Sequence, residues 1–434
     1  MQAASTPGNA FADQAADNPS RHVAVTPGRI EHVAPSPVQR PKRDQTRDET
    51  ASKRLMSTGK VDAYDGLRGV LSLVVVAGHA WQTIVSSQGH SPSWAQHLFG
   101  LSARMAVLAF FFLSGYLIAM SVAENRRRHA AAFDSGEYVE ARIFRIVPPL
   151  LLVIALTVAM ELALVTMGSS TSSQPAAARQ SFATSAAEQI AALATLSILG
   201  SLTGNWLNGP LWSLVYEIQL YVIVGLLGVI CFGARQLHRV AALIALAFYL
   251  DAIGMPGQTF PYTLQCLAFS CFGLGVAAFA ARHQMRTWMS WSVVAACSVA
   301  AGFTWFNLAP ADGLDKLDTS RQWLFVQVLV AGACAFSLPL LVGVQWLKRI
   351  SVTGAFSYTL YIAHFPLLLA IYMLLFNNAR WSLTGPVAWM TAAVAGIAVI
   401  VACMWIGRWV EQPAAQRRWF RAMWRQRLAR RGRG

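Results

Sequence analysis

Apolar residues gather along this chain in blocks of about twenty, divided by short polar stretches. A helix rising ~1.5 Å per residue needs about that length to cross a ~30 Å hydrocarbon core. Ten segments qualify, at roughly 67–86, 98–122, 146–167, 211–233, 240–255, 263–281, 287–306, 323–345, 355–376 and 385–408, the fifth being short. The pattern predicts an all-α polytopic membrane protein of about ten transmembrane helices. Residues 1–62 mix Ala, Pro, Ser and both signs of charge without apolar periodicity, so they cannot bury enough surface to offset ordering entropy. They are expected as a disordered cytoplasmic tail, followed by a membrane domain over 63–410 and a basic tail over 411–434. No short apolar stretch with a cleavage site precedes residue 61, which leaves the first span as the expected insertion signal.

The first block, DGLRGVLSLVVVAGHA, breaks its own apolar pattern on one side. Arg68 and His79 are eleven residues apart, close to three whole turns, and so share a face. That face reads Asp65, Arg68, Ser72, Val75, His79, Gln82 and Ser86, while Leu67, Leu71, Val74 and Trp81 fall opposite. Ionisable groups in a bilayer core cost at least a few kcal/mol unless they face protein or water, so the stripe is expected to line a cavity.

Composition agrees with a membrane location. Of 434 residues, 55% are hydrophobic and 13% charged, with a mean hydropathy of +0.43. With the N-terminus inside, the inner segments hold 29 of the 35 Lys and Arg, whereas the outer loops hold only Arg179, Lys316, Arg321 and Arg380. This bias predicts cytoplasmic N- and C-termini and an even number of spans. The net charge of +15 recurs in every inner loop instead of forming one basic face, which argues against nucleic acid and for anionic inner-leaflet lipid as partner. The six cysteines lie in or beside apolar spans without CxxC or ligand spacing, so neither disulfides nor a metal site is expected.

Further polar residues punctuate the later spans. Helical rise places His79 ~18 Å from the inner face, and Glu217 and Arg104 each ~9 Å from the outer one. His364 comes ~14 Å up the ninth span, so one slab is expected to hold all four. The run NGPLWSLVYEIQLY repeats Ser213, Glu217 and Tyr221 at four-residue intervals, with Trp212 and Tyr216 alongside, and the ninth span carries Ser357, Tyr361 and His364. A lone Glu in hydrocarbon protonates, so a cation such as Arg104 or a nearby imidazole is the expected partner of Glu217. Each of these groups also has a structural reading, as a helix-pairing or packing residue. FFFLSGYLI around Ser114 and Gly115 reads as close helix contact through small residues. At the inner end of the third span, ARIFRIVPPL sets Arg142 and Arg145 one turn apart. Their forked donors match phosphate oxygens, and Pro148-Pro149 is expected near a helix start, where orphan amides make proline tolerable.

Five blocks in order, YDGLRGVLSLVVVAGHA, FFFLSGYLI, ARIFRIVP, NGPLWSLVYEIQLY and FSYTLYIAHFPLL, make the chain resemble the acyltransferase family 3 membrane proteins. The resemblance implies a ten-helix fold that transfers acyl groups, often acetyl, from cytoplasmic acyl-coenzyme A to extracytoplasmic carbohydrates or related acceptors, at the inner membrane of a bacterium. The family's essential arginine and histidine fall on Arg68 and His79, its RxxR motif on Arg142 and Arg145, and its WSL-x-x-E glutamate on Glu217. Family members commonly carry two acids in a row there; here Ile218 follows Glu217. The mechanism so implied makes His79 the general base, oriented by Glu217 or another polar neighbour, with Arg104 or backbone amides at the oxyanion. Arg68, Arg142 and Arg145 would hold the donor's phosphates, and Trp212, Tyr216, Tyr361 and His364 are candidate substrate contacts. The competing reading is a proton-coupled transporter with Arg68, His79 and Glu217 as a midplane site.

Overall fold

The computed structural model describes residues 43–89, 91–166, 209–254, 262–284, 286–308, 321–341, 344–376 and 383–431. Residues 168–203 lie outside the described residues. Contacts divide the chain into a unit of residues 1–52 and a unit of residues 53–434. All regular elements among the described residues are helical. The longer ones are α1 (Arg43–Ala80), α2 (Ser102–Arg128), α3 (Ser135–Thr166), α4 (Trp212–Phe232), α5 (Gln236–Gly254) and α6 (Tyr262–Ala281). They continue with α7 (Thr287–Leu308), α8 (Arg321–Leu341), α9 (Ser357–Phe376), α10 (Gly385–Val410) and α11 (Pro413–Arg431).

Each of the ten segments expected to span overlaps one of α1 to α10. Among the described residues six stretches are long and apolar enough to cross a membrane: Asp62–Gln88, Leu98–Arg128, Trp212–Phe232, Gln236–Ile253, Ser351–Phe376 and Gly385–Met423. Gln265–Ala281 and Thr287–Phe303 are shorter apolar helices. α1 is helical from Arg43, well before its apolar block.

Three features of packing position the polar residues. First, α1 is enclosed on both sides. The face carrying Leu67 and Leu71, which the stripe left for lipid, packs with Tyr64, Phe112 and Tyr116, and Trp81 joins the main core. Second, α2 and α6 cross through reciprocal glycines. A Cβ on Gly115 would run into the carbonyl of Phe272, and one on Gly275 into the carbonyl of Phe112, so each backbone fills the notch left by the other's missing side chain. Third, Gly66 and Gly69 admit Leu347 and Thr353 against α1, and Gly354 admits the backbone of Asp65. These contacts seat the Arg68 end of α1 beside the start of α9.

Pro148 and Pro149 are interior to α3, not near its start. The sequence expectation fails because the charged stretch SGEYVEAR before them is itself helical, which adds more than three turns. Their rings remove the amides that the carbonyls of Phe144 and Arg145 would accept from, loosening α3 just beyond its arginines.

The C-terminal basic segment is a helix and not an extended tail. α11 begins at Pro413, a residue suited to a first helical turn, and packs along the N-terminal part of α3. Arg421 donates two hydrogen bonds to Glu140, at 2.8 and 2.5 Å, and Phe420 lies 5.3 Å from Phe144, ring centre to ring centre. The Arg421 guanidinium holds the Glu140 carboxyl below its ordinary range. The pair therefore contributes at neutral pH and is lost as pH falls through that lowered value.

The glycine crossing yields a first prediction. Gly115→Leu or Gly275→Leu forces α2 and α6 apart and lowers stability by at least about 1–3 kcal/mol, seen as an earlier thermal transition of purified protein in detergent. Gly273→Ala, one turn-face away with nothing within 4 Å of the added carbon, leaves the transition where it is.

Candidate functional site

Polar side chains from α1, α2, α3, α4, α9 and α11 meet around a cavity of about 300 Å³. Arg68, Arg142, Arg145, Glu217 and Tyr361 all line it, together with Ser114, Ser121, Ser213, Tyr221 and Ser357. The cavity has a strongly cationic end. Arg68 donates to Asp65 at 2.9 Å and to the Ser357 hydroxyl at 3.1 Å, which fixes its guanidinium between α1 and α9. Arg142 donates to the Ser121 hydroxyl at 3.0 Å and to the carbonyl of Tyr138 at 3.2 Å, and its guanidinium carbon lies 3.9 Å from the centre of the Tyr138 ring. Arg145 feels the charges of Glu217, Glu411 and Asp65, yet among the described residues its guanidinium makes no direct ion pair.

Glu217 occupies the same cavity. Its Oε1 accepts from Ser114 at 3.3 Å and from the hydroxyl of Tyr221. The Tyr221 backbone carbonyl in turn accepts from Tyr138 at 3.0 Å, tying α4 to α3. The expectation that Arg104 partners Glu217 is therefore corrected. Arg104 is not in the cavity wall; the acid is held by hydroxyls that the i, i+4 pattern and the FFFLSGYLI run had placed within reach. In that run the expected helix contact is made by Gly115, and the adjacent Ser114, not anticipated as a partner, donates to Glu217.

Glu411, which sequence reasoning passed over as a site residue, acts near the cationic end without lining the cavity. It follows α10, and its Oε1 accepts from the backbone amide of Thr359 at 2.5 Å. That amide is one of the orphan donors in the first turn of α9, so the carboxylate caps α9 while its charge acts on Arg68 and Arg145. A single acid just past the last span was the available signal.

His79 lies apart from this cavity. Its ring is half-buried, and its Nδ1 lies 3.0 Å from the side-chain oxygen of Gln82. An amide oxygen only accepts, so Nδ1 carries the proton and Nε2 presents a lone pair. Gln82, not Glu217, is thus the polar neighbour that orients the ring. The π-helical turn Trp81–Val85 follows directly after α1, re-aiming residues just past the histidine. The His364 ring lies tilted against His79 at 36°, with ring centres 5.1 Å apart, and Phe365 meets His79 edge-on at 5.4 Å. His364 is fully buried. Its Nδ1 donates to the carbonyl of Leu360 at 3.0 Å, and its Nε2 has no hydrogen-bond partner among the described residues.

Between cavity and imidazoles stands Tyr361, whose hydroxyl bonds Ser213. Its ring lies 5.4 Å from Phe110 and 6.0 Å from His364, centre to centre. The single slab expected from helical rise is thus two neighbouring sites, one with Glu217 and the arginines, the other with His79 and His364. Trp212 and Tyr216 pack on each other at 5.9 Å, and neither lines the cavity; Tyr216 is only 2% exposed.

The capping role of Glu411 is testable in the folded protein alone. Glu411→Ala leaves the Thr359 amide without its acceptor and removes one of the anions that act on Arg68 and Arg145. It lowers stability by about 1–2 kcal/mol, read as a lower thermal midpoint in detergent, and Glu411→Asp recovers part of the loss.

Comparison with known proteins adds one finding. The sequence model of a family described as an acyltransferase domain matches residues 61–409, a stretch that contains every residue of both sites except those of α11 and Glu411. No curated protein and no solved structure matches the chain.

Proposed function

The chain belongs to acyltransferase family 3 and carries membrane-spanning helices, and from that membership we propose an acyl transfer across the bilayer. The donor is a cytoplasmic acyl-coenzyme A, with acetyl as the default group, and the acceptor is a hydroxyl of an extracytoplasmic carbohydrate or glycoconjugate. The observation that carries this reading is the convergence of Arg68, Arg142 and Arg145 on one cavity, whose wall residue Tyr361 neighbours His364 and through it His79, an imidazole whose Nε2 has no hydrogen-bond partner among the described residues. Forked guanidiniums suit phosphate oxygens. The cavity volume, about 300 Å³, is at the low end for ligand pockets. It suits an extended pantetheine arm, with the nucleotide remaining at the arginine end.

The chemistry follows from the tautomer of His79. Its Nε2 takes the proton of the acceptor hydroxyl as the oxygen attacks the thioester carbonyl. The tetrahedral intermediate collapses, the carbon–sulfur bond breaks, and the leaving thiolate recovers a proton from the imidazolium. Gln82 keeps the other ring nitrogen protonated throughout and fixes the ring's direction. Holding both reactants in one slot lowers the entropic part of the barrier. In this scheme the thioester reaches His79 when Tyr361 swings off Ser213. Glu217 belongs to the donor side, where it sets the hydroxyl network of Ser114 and Tyr221 and balances Arg145.

This arrangement answers a solubility problem. Coenzyme A is too charged to enter hydrocarbon and a glycan too polar, so a reactive centre inside the bundle lets each approach from its own side.

The test is thiol release by purified protein given acetyl-coenzyme A and an envelope glycan fraction, with the acylated sugar identified by mass spectrometry. Wild type releases thiol only when acceptor is present. His79→Ala abolishes transfer while still inserting and purifying as a folded protein. Arg142→Ala and Arg145→Ala raise the donor KM about tenfold or more, as expected for lost charge-assisted hydrogen bonds. Release of no thiol by wild type with any glycan or donor, or full activity of His79→Ala, overturns the proposal.

A further inference from the structure

The family match stops at residue 409, yet the cationic cavity does not. Pro413 and Arg417 of α11 complete its wall beside Arg68, Arg142 and Arg145. Of the charged residues lining it, four are arginines and one, Glu217, is an acid. Arg417 is oriented by its own helix, with Nε donating to the carbonyl of Pro413 at 3.2 Å. Its terminal nitrogens make no hydrogen bond or ion pair among the described residues.

α11 is fastened in that place by contacts on either side of Arg417. Before it, Glu411 is pinned to the Thr359 amide, and Gln416 donates to the carbonyl of Val410 at 3.0 Å. After it, Arg421 forks onto Glu140 and Phe420 packs on Phe144. Glu140 and Phe144 flank Arg142 and Arg145 on α3, so one stretch of α3 both carries the RxxR arginines and holds down the helix that brings a fourth.

We propose that α11 is part of the donor site: Arg417 supplies a guanidinium to the phosphates of the nucleotide that Arg142 and Arg145 also bind, and the Arg421–Glu140 pair positions it. This rests on the donor reading above. The same chemistry would also suit the phosphate of an anionic lipid headgroup. The cavity wall favours the nucleotide, because Arg417 faces the polar interior shared with Arg68 and Glu217, whereas Arg418 and Trp419 on the same helix are exposed.

The experiment is equilibrium binding of coenzyme A to the full-length protein, in neutral detergent and in nanodiscs with and without anionic lipid. Wild type, Arg417→Ala and Arg417→Gln, Arg421→Glu, the exchange Glu140→Arg with Arg421→Glu, and Arg142→Ala are compared. Loss of about tenfold in affinity in both Arg417 variants, already in neutral detergent, is expected. Arg421→Glu loses affinity and the charge exchange restores it, which a tail lying loosely on the surface would not show. If both Arg417 variants bind like wild type while Arg142→Ala does not, the donor reading stands and the role of α11 falls. If the Arg417 variants differ from wild type only in nanodiscs with anionic lipid, α11 is a headgroup-binding element and the proposal is overturned. If wild type itself does not bind coenzyme A, both readings fall together.

Discussion

Half-buried guanidiniums set the terms for this fold. A cation removed from water must find charge or hydrogen-bond acceptors within reach, or its desolvation is uncompensated. Arg68, Arg142 and Arg145 find them in elements far apart in sequence: Asp65 and Ser357 for the first, Ser121 and the Tyr138 ring for the second, the charges of Glu217 and Glu411 for the third. Meeting those needs brings α1, α2, α3, α4 and α9 to one place. The apolar contacts alone, interchangeable among so many Leu, Val and Ala, would leave their register loose. The glycines do the complementary task of letting backbones come close enough for such short side-chain reaches.

Much of this was legible in the chain because helices impose a fixed period. Arg68 and His79 share a face of α1, Arg142 and Arg145 share a face of α3, and Ser213, Glu217 and Tyr221 share a face of α4; all follow from 3.6 residues per turn. What periodicity does not contain is the neighbour of each face. Glu217 was expected beside Arg104 or an imidazole that helical rise puts at similar depth, but depth leaves rotation about the bundle axis open, and Ser114 and Tyr221 are the side chains that bond it. Trp212 and Tyr216 were singled out for being aromatic near a polar run, yet they lie on the side of α4 that packs away from the cavity wall. α11 escaped notice because its many arginines read as a basic tail for anionic headgroups. Pro413 at a helix start, with Phe420 placed to meet α3, was the pattern that marked it.

The two sites also divide the labour of an acyltransferase in a way that sequence order conceals. His79 and Arg68 belong to one helix and one stripe, but Tyr361 steps between them from α9 and gives each its own compartment. In the proposed scheme donor recognition depends on α3 and α11, and acid–base chemistry on the far end of α1, its π-helical extension and His364. Substitutions in the first group should act on affinity, and those in the second on turnover, although the residues intermingle along the chain.

Tyr361 and Ser213 have a consequence beyond chemistry. A polar passage open from one face of a membrane to the other is a conductor, and the energised membrane of a cell cannot tolerate a standing leak of protons or ions. In the proposed scheme the Tyr361–Ser213 bond, with Phe110 against the tyrosine ring, is the element that would have to keep such a passage shut between turnovers.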